Sequence, residues 1–226
     1  GELARRAFAE ALGTGLLVTV VVGSGLMAQR LSPGQTGLEL LENSTATAFG
    51  LAVLILAFGP VSGAHFNPVV TLVDHLLGRR AGTGIRPRAA AAYIGAQILG
   101  GIGGAVLANL MFDQPAIAAS THSRTGFPVW LGELVATAGL ILVVFALGRT
   151  GRARQAPAAV GAYIGSAYWF TSSTSFANPA VTIARALTDS FAGIAPASVP
   201  GFVLAQLLGA ALGALTVVVL YPRRSS

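Results

Sequence analysis

The chain has 226 residues, of which 54% are hydrophobic and only 10% are charged. Soluble domains carry about 25% charged residues, so this composition predicts a protein of the lipid bilayer. There is no cysteine, which excludes disulfides and thiolate metal sites. The net charge of +6 comes from arginines without any lysine. We assign that charge to cytoplasmic loops of a membrane protein and predict no nucleic-acid partner.

Six apolar stretches are predicted to be membrane-spanning helices, which makes the chain an all-α membrane protein. The first stretch follows Arg5-Arg6 and shows no cleavage site, so we expect it to stay in the fold and not to act as a signal peptide. The polar segment Leu31 to Glu42 contains Gly and Pro and is predicted to be a loop. The predicted spans are Ala7–Ala28, Asn43–Pro60, Ala89–Phe112, Phe127–Leu147, Gln155–Thr171 and Val199–Tyr221.

Two short segments between these spans begin with the same motif. Asn67-Pro68-Val69 and Asn178-Pro179-Ala180 each combine an N-cap residue with proline at the first helical position, a strong helix start. About ten residues follow each motif, enough for about 15 Å of helix, or half of a bilayer core. We therefore predict two re-entrant half-helices whose N-termini meet near the bilayer midplane and line a pore. The positive ends of both helices would repel cations there.

The two halves of the chain repeat each other. Glu10 in the first span corresponds to Glu133 in the fourth, and Gln97 in the third corresponds to Gln206 in the sixth. Each half holds three spans, an odd number, so the second half is predicted to insert upside down. The prediction is one channel domain, residues 1–226, built of inverted repeats 1–112 and 127–226 joined by loop 113–126.

The arginines predict the orientation. With the N-terminus in the cytoplasm, eleven of the 14 arginines lie in the two termini and in the turns 78–88 and 148–154. Positively charged loops remain on the cytoplasmic side of a membrane. We expect a multi-pass protein of the inner (plasma) membrane with both termini in the cytoplasm.

Glu10 and Glu133 are the only acids well inside the spans, and two roles are open for them. An intramembrane carboxylate can couple transport to protons. Alternatively each accepts hydrogen bonds from buried N–H groups and braces a re-entrant loop, which their symmetric placement favours. His65 either lines the pore or satisfies a buried backbone group. Three His, eight acids and no Cys form no nucleophile–base set or ligand cluster, so we predict no enzyme, cofactor or metal.

The doubled Asn-Pro motif, the wording Gly-Ala-His-Phe-Asn-Pro and the doubled Ala-Gln-x-Leu-Gly resemble the aquaporin and aquaglyceroporin family over nearly the whole chain. The resemblance implies the aquaporin fold, with six tilted helices and two half-helices around one pore. It also implies a homotetramer in the lipid bilayer and passive transport of water or small neutral solutes. Both Asn-Pro motifs would then line the pore.

The chain departs from this family at the narrow selectivity filter. Val181 occupies the place directly after the second motif, where most members have an arginine. The nearest arginine, Arg185, lies one turn or about 6 Å further along the half-helix. The filter position of the second span is Thr47, or Phe49 if the local Phe-Gly is aligned instead. The remaining filter candidates are Ser175 in the second loop and Gly165, Ser166 and Tyr168 in the fifth span.

With Thr47 and Val181 in the filter, both its bulky ring and its cation are missing, and we expect a wide opening. The function predicted is passive conduction of small uncharged hydroxylated solutes such as glycerol, with water. Residues 175–189 and 121–126 also resemble bacterial aquaporin-like channels found beside arsenic-resistance genes, which implies arsenite as As(OH)3. One alternative is a water-selective channel in which Arg185 or Arg124 folds into the filter. The other is a coupled secondary transporter.

Overall fold

Apolar segments with few helix breakers form helices in lipid, because a helix satisfies its own backbone hydrogen bonds. The computed structural model describes residues 1–79 and 82–222, and this part of the chain contains helices and no strands. The helices are α1 Glu2–Leu31, α2 Thr36–Ser62, α3 Pro68–Arg79, α4 Pro87–Met111, α5 Phe127–Arg149, α6 Ala156–Phe170, α7 Pro179–Arg185 and α8 Val199–Leu220. Single 3₁₀ turns, Ala153–Gln155 and Pro196–Ser198, precede α6 and α8.

Five of these helices, α1, α2, α4, α5 and α8, are long and apolar enough to cross a membrane by length and composition. Helix α6 has 15 residues and is shorter. Large apolar side chains cover the outside of the bundle: Phe8, Leu99 and Phe127 are each about two-thirds exposed or more. A surface of this kind is stable against hydrocarbon and not against water.

The second helix is longer than its hydropathy predicts. The predicted loop from Leu31 to Glu42 is wrong, because α2 already begins at Thr36. The polar residues there form the first turns of α2, and the Ser32 hydroxyl donates to Glu42 at 2.8 Å, tying the helix start to the end of α1. Hydropathy marks the part of a helix that lies in lipid and does not mark where the helix begins.

The two half-helices are of unequal length. Helix α3 has 12 residues, close to the ten expected, whereas α7 has only seven. After α7 the chain leaves the helical path, and Arg185 Nε donates to the carbonyl oxygen of Ala192. The segment between α7 and α8 therefore folds back over the end of the short helix.

Two pairs of long helices pack closely at matching places in the two halves of the chain. Helix α1 packs along α4, and α5 packs along α8. At Gly100 an added Cβ would lie 2.0 Å from the carbonyl oxygen of Ala11, and at Gly209 it would lie 2.4 Å from that of Leu134. Only glycine permits backbones to approach this closely. The same contact therefore occurs once in each half of the chain.

Most of the arginines used to predict the orientation lie in described turns and helix ends. Arg80, Arg223 and Arg224, which belong to the eleven assigned to the cytoplasm, lie outside the described residues.

Candidate functional site

The loops that precede α3 and α7 have the same unusual backbone. Phe66 and Ala177, directly before the two asparagines, both have a φ of +51°. Residues other than glycine rarely adopt this left-handed conformation, so the surrounding structure must hold it in place. The matched left-handed positions are Gly63 with Thr174, Ala64 with Ser175, and Phe66 with Ala177.

The two Asn-Pro motifs are bonded to each other. Asn67 Nδ2 donates to the carbonyl oxygen of Ala177, and Asn178 Nδ2 donates to that of Phe66, both at 2.7 Å. Each Oδ1 accepts a backbone N–H of its own half-helix, at 3.1 Å in α3 and 3.0 Å in α7. Each asparagine thus caps its own helix with oxygen and holds the opposite loop with nitrogen. The structure brings both motifs together as the sequence predicts.

Glu10 lies fully buried behind the first loop. Its Oε1 accepts from the Ser62 hydroxyl at 2.6 Å and from the N–H of His65 at 3.0 Å. Its Oε2 accepts from the N–H of Phe66 at 2.7 Å and from Gln97 Nε2 at 2.8 Å. Four donors from three separate segments therefore converge on this carboxylate.

Glu133 has the same set of partners behind the second loop. Its Oε1 accepts from the Ser173 hydroxyl at 2.7 Å and from the N–H of Phe176 at 2.8 Å. Its Oε2 accepts from the N–H of Ala177 at 2.8 Å and from Gln206 Nε2 at 2.6 Å. Both carboxylates are 0% exposed and hold the left-handed backbone described above.

A cavity of about 190 Å³ passes the meeting point of the two motifs. Its wall combines polar groups of the re-entrant loops with apolar side chains of the long helices. The polar lining residues include His65, Asn67, Ser175 and Asn178. The apolar lining residues include Leu17, Leu51, Ile55, Leu140, Val160 and Ile164.

Thr47 of α2 and Tyr168 of α6 meet at the cavity wall. The hydroxyl oxygens of Thr47 and Tyr168 lie 3.2 Å apart, and both residues are buried. Ser175 and Val181 line the same cavity. The Ser175 hydroxyl is buried and has no hydrogen-bond partner among the described residues.

Arg185 also lines this end of the cavity, although it follows Val181 by four residues. The side chain is 2% exposed. Its guanidinium carbon lies 3.4 Å from the centre of the Phe176 ring, a cation–π contact. It also interacts with the Tyr168 side chain. The long arginine side chain thus covers the distance of one helical turn and brings a cation next to the predicted filter.

The second arginine that could complete the filter, Arg124, is held nearby in the loop between α4 and α5. Its Nε donates to the carbonyl oxygen of Gly193 at 2.9 Å, and Nη2 donates to that of Phe191 at 3.2 Å. Its guanidinium carbon lies 5.1 Å from the centre of the Phe176 ring. Arg124 is absent from the residues that line the cavity within the described chain. Arg124 therefore contacts the Phe176 ring, which also contacts Arg185, from outside the cavity.

The same loop is fixed at its other side by Asp189. The N–H and the hydroxyl of Thr121 donate to Asp189 Oδ1 at 2.8 and 2.9 Å. These hydrogen bonds favour the ionised carboxylate and lower the pKa of Asp189 below its ordinary value. The loop is thereby attached over the end of α7.

Two predicted site residues lie away from the cavity, and their assignments are corrected. Phe49 is 71% exposed on the outside of α2, and Ser166 is exposed on α6, where its hydroxyl donates to a backbone oxygen of its own helix at 2.7 Å. Two residues correspond to about 200° around a helix. Phe49 therefore faces away from Thr47, and Ser166 faces away from Tyr168. Gly165 is likewise not part of the wall.

The opposite end of the cavity holds His65 and Asp74. His65 Nδ1 lies 3.0 Å from the Thr71 hydroxyl, and its ring packs edge-on against Tyr93. His65 lines the cavity and uses a side-chain partner, not a backbone group. Asp74 and the Phe176 ring were not predicted from the sequence. A signal for Asp74 existed, because it follows Asn67 by as many residues as Arg185 follows Asn178.

Comparisons with known proteins agree with this geometry. Residues 2–175 match the major intrinsic protein family. The chain is 52% identical over 209 residues to aquaglyceroporin AqpS of Rhizobium meliloti, covering 92% of this chain and 87% of the relative. It is 36% identical over 177 residues to aquaporin Z of Photorhabdus laumondii, covering 70% of this chain and 71% of that one.

A solved structure, the aquaglyceroporin from Plasmodium falciparum, has the same fold. The TM-score is 0.68 over 95% of both chains, at 19% sequence identity. The helical bundle with two re-entrant half-helices is thus the aquaporin fold. By its sequence match and its fold, this chain belongs to the major intrinsic protein family and is a multi-pass membrane channel.

Proposed function

We propose that the chain conducts small uncharged hydroxylated solutes passively, among them glycerol and arsenite as As(OH)3, together with water. The observation that carries the proposal is the cavity wall, which combines polar groups of the loops with apolar side chains of the helices and includes the apolar Val181. A relative with 52% identity is named an aquaglyceroporin, which supports the same solute class.

Such a wall suits a polyol, which carries both carbon and hydroxyl groups. Its carbon atoms can lie against the leucine, isoleucine and valine side chains while its hydroxyl groups bond to the polar groups of the loops. Asn67 and Asn178 each use one of their two Nδ2 hydrogens to hold the opposite loop. The second hydrogen of each remains for a passing oxygen.

Cations are excluded at two places in this proposal. The N-terminus of α3 and the asparagine amides present positive ends at the middle of the cavity. Arg185 places a full positive charge at one end. A neutral solute passes both places, whereas a cation is repelled at each.

Glu10 and Glu133 act as structural braces in this proposal and do not carry protons. Each carboxylate already accepts four hydrogen bonds, and neither is part of the described cavity wall. A proton carrier must reach the transported path and change its partners during the cycle. Passive conduction is therefore favoured over coupled secondary transport.

We place the selectivity filter at Thr47, Tyr168, Ser175 and Val181, with Arg185 beside them. The channel domain consists of inverted repeats 1–112 and 127–226 joined by residues 113–126. The arginine distribution supports insertion in the inner (plasma) membrane with both termini in the cytoplasm. By analogy with the family, we propose a homotetramer with one pore in each subunit.

A second candidate function, water-selective conduction, is supported by one observation. Arg185 reaches the filter end of the cavity, where the hydroxyls of Thr47 and Tyr168 already bridge two helices. Together these groups could narrow the opening to the size of water. The two functions differ in the flux of larger solutes relative to water.

Proteoliposomes with purified protein distinguish them. We expect glycerol and arsenite uptake well above that of empty vesicles. Val181→Arg should reduce glycerol and arsenite uptake more than water flux, because it adds bulk and charge to the filter. Val181→Leu serves as a control that adds bulk without charge. Fast water flux with no solute uptake above empty vesicles would instead establish the water-selective channel.

A further inference from the structure

The two half-helices carry opposite charges at equivalent positions. Asp74 follows Asn67 by seven residues, and Arg185 follows Asn178 by seven. Both side chains line the same cavity. Seven residues correspond to roughly 10 Å of helix, and the half-helices run in opposite directions from their meeting point. The cavity therefore has an aspartate toward one end and an arginine toward the other.

Asp74 is held in a fixed place by one of its carboxylate oxygens. Its Oδ2 accepts the N–H of Ile85 at 2.8 Å, which ties α3 to the segment before α4. His75 Nδ1 lies 2.8 Å from the carbonyl oxygen of Ile85 and secures the same segment from the next position. Asp74 therefore lines the cavity from a fixed position.

The remaining charges in the described wall are positive or partly positive. Arg185 contributes a full charge, and the asparagine amides and the N-terminus of α3 contribute donors at the middle. Such a path repels cations but attracts anions, just as rings of basic side chains make anion pores. Asp74 is the one acidic residue in the described cavity wall. Within the described wall, an anion that passes Arg185 and the amides therefore meets a negative charge only at Asp74.

We propose that Asp74 is a specificity-determining residue, which repels the small anions that Arg185 and the pore amides admit. Arg185 acts against cations and Asp74 acts against anions, so that only neutral solutes pass the whole cavity. This inference deepens the proposed channel function and rests on it. It assigns to Asp74 a role that the Asn-Pro motifs and the filter cannot fulfil, because both are neutral or positive.

Iodide and glycerol uptake into proteoliposomes test the proposal, with iodide reported by a quenched dye inside the vesicles. Asp74→Asn should raise the iodide-to-glycerol flux ratio about tenfold, because it removes the repulsive charge from a low-dielectric path. Asparagine keeps an oxygen for the N–H of Ile85, so the fold is retained. Asp74→Glu should stay within about twofold of the parent. Asp113→Asn, in an exposed loop, is the matched control.

The absence of native cysteine permits a second test. Asp74→Cys places a single thiol in the chain. Sulfonatoethyl thiosulfonate attaches a negatively charged group to this thiol, and trimethylammonioethyl thiosulfonate attaches a positively charged one. The anionic adduct should lower the iodide-to-glycerol ratio and the cationic adduct should raise it, although both have similar size. Equal ratios for the two adducts, or an Asp74→Asn ratio within twofold of the parent, would overturn the inference.

The outcomes separate this inference from the proposed function. If the parent protein moves no glycerol, the proposed solute class is wrong, and iodide flux is then compared with water flux. If the parent moves glycerol and the Asp74 variants leave iodide unchanged, the channel function stands and the role of Asp74 is wrong.

Discussion

Thr47 of α2 and Tyr168 of α6 join hydroxyl to hydroxyl, 3.2 Å apart, at the end of the cavity where Val181 replaces the expected arginine. The contact unites two helices that are adjacent in the bundle and far apart in sequence. The contact uses one hydroxyl hydrogen and one lone pair, so the pair keeps one hydrogen and further lone pairs for a solute. We expect the width of this part of the cavity to depend on this side-chain hydrogen bond.

Removal of the Tyr168 hydroxyl tests this dependence. Tyr168→Phe should raise glycerol flux relative to water flux, because the opening gains the space of one oxygen and Thr47 is freed to bond the solute. The lost hydrogen bond should lower stability by about 1 kcal/mol. Stopped-flow light scattering of proteoliposomes measures both fluxes. Tyr163→Phe is the control, because its hydroxyl bonds to Ala136 at 2.9 Å away from the cavity wall. Equal changes in both variants would contradict the prediction.

The buried carboxylates provide a second prediction. Glu133→Gln should destabilise the protein by about 3 kcal/mol, because the amide NH2 faces backbone donors and leaves them without an acceptor. Thermal unfolding in detergent, followed by tryptophan fluorescence, measures the loss. Glu2→Gln, on the exposed first turn of α1, should leave the midpoint unchanged.

The same carboxylates distinguish passive from coupled transport. Solute uptake by the parent protein should not respond to a proton gradient imposed across the vesicle. Uptake that followed the gradient, and lost this response in Glu133→Gln, would show that the carboxylate carries protons.

The contact between α1 and α4 gives a third prediction. Gly100→Ala should lower stability by about 2 kcal/mol, since its Cβ would lie 2.0 Å from the carbonyl oxygen of Ala11 and force the helices apart. Gly103→Ala, one turn further on the same helix, meets nothing within 4 Å and should be neutral or slightly stabilising. Thermal unfolding of the two variants, side by side, measures the difference. Similar midpoints would show that the two helices can separate freely.

The left-handed backbone of the two loops gives a fourth prediction, in which two substitutions change stability in opposite directions. Gly63 has a φ of +91° and its counterpart Thr174 a φ of +61°. Gly63→Thr should destabilise the protein by about 1 to 2 kcal/mol, because a β-branched residue is strained in this region. Thr174→Gly should stabilise it by up to about 1 kcal/mol. Unfolding midpoints of both variants test this, and a loss of stability in Thr174→Gly would show that its side chain contributes more than strain.

Much of the architecture follows from local patterns in the sequence. The helical membrane fold and the family membership are confirmed. They could be predicted because composition, helix-start motifs and repeated sequence motifs depend on residues that are neighbours in the chain. The start of α2 at Thr36 could not be predicted in this way. Its first turns are polar, and hydropathy does not separate a polar helix end from a loop.

The filter shows a different limit. Counting along the sequence left Thr47 or Phe49, and Gly165, Ser166 or Tyr168, as candidates. Thr47 and Phe49 are two residues apart, as are Ser166 and Tyr168. The members of each such pair point to opposite sides of a helix, and only the packing of α2 against α6 decides between them. Arg185 shows the same limit, because the direction of its flexible side chain depends on Phe176 and on the folded-back segment after α7.

The crossed bonds between the two re-entrant loops also set the order in which the protein can be completed. When residues 1–112 have been synthesised, Ala177 does not yet exist, and the Nδ2 group of Asn67 lacks its acceptor in the opposite loop. The carbonyl oxygen of Phe66 likewise has no Asn178 Nδ2 group to donate to it at that stage. The first loop therefore stays unfinished in the membrane until the last third of the chain emerges. Both loops reach their final shape together, in the step that brings each asparagine to the carbonyl oxygen of the opposite loop.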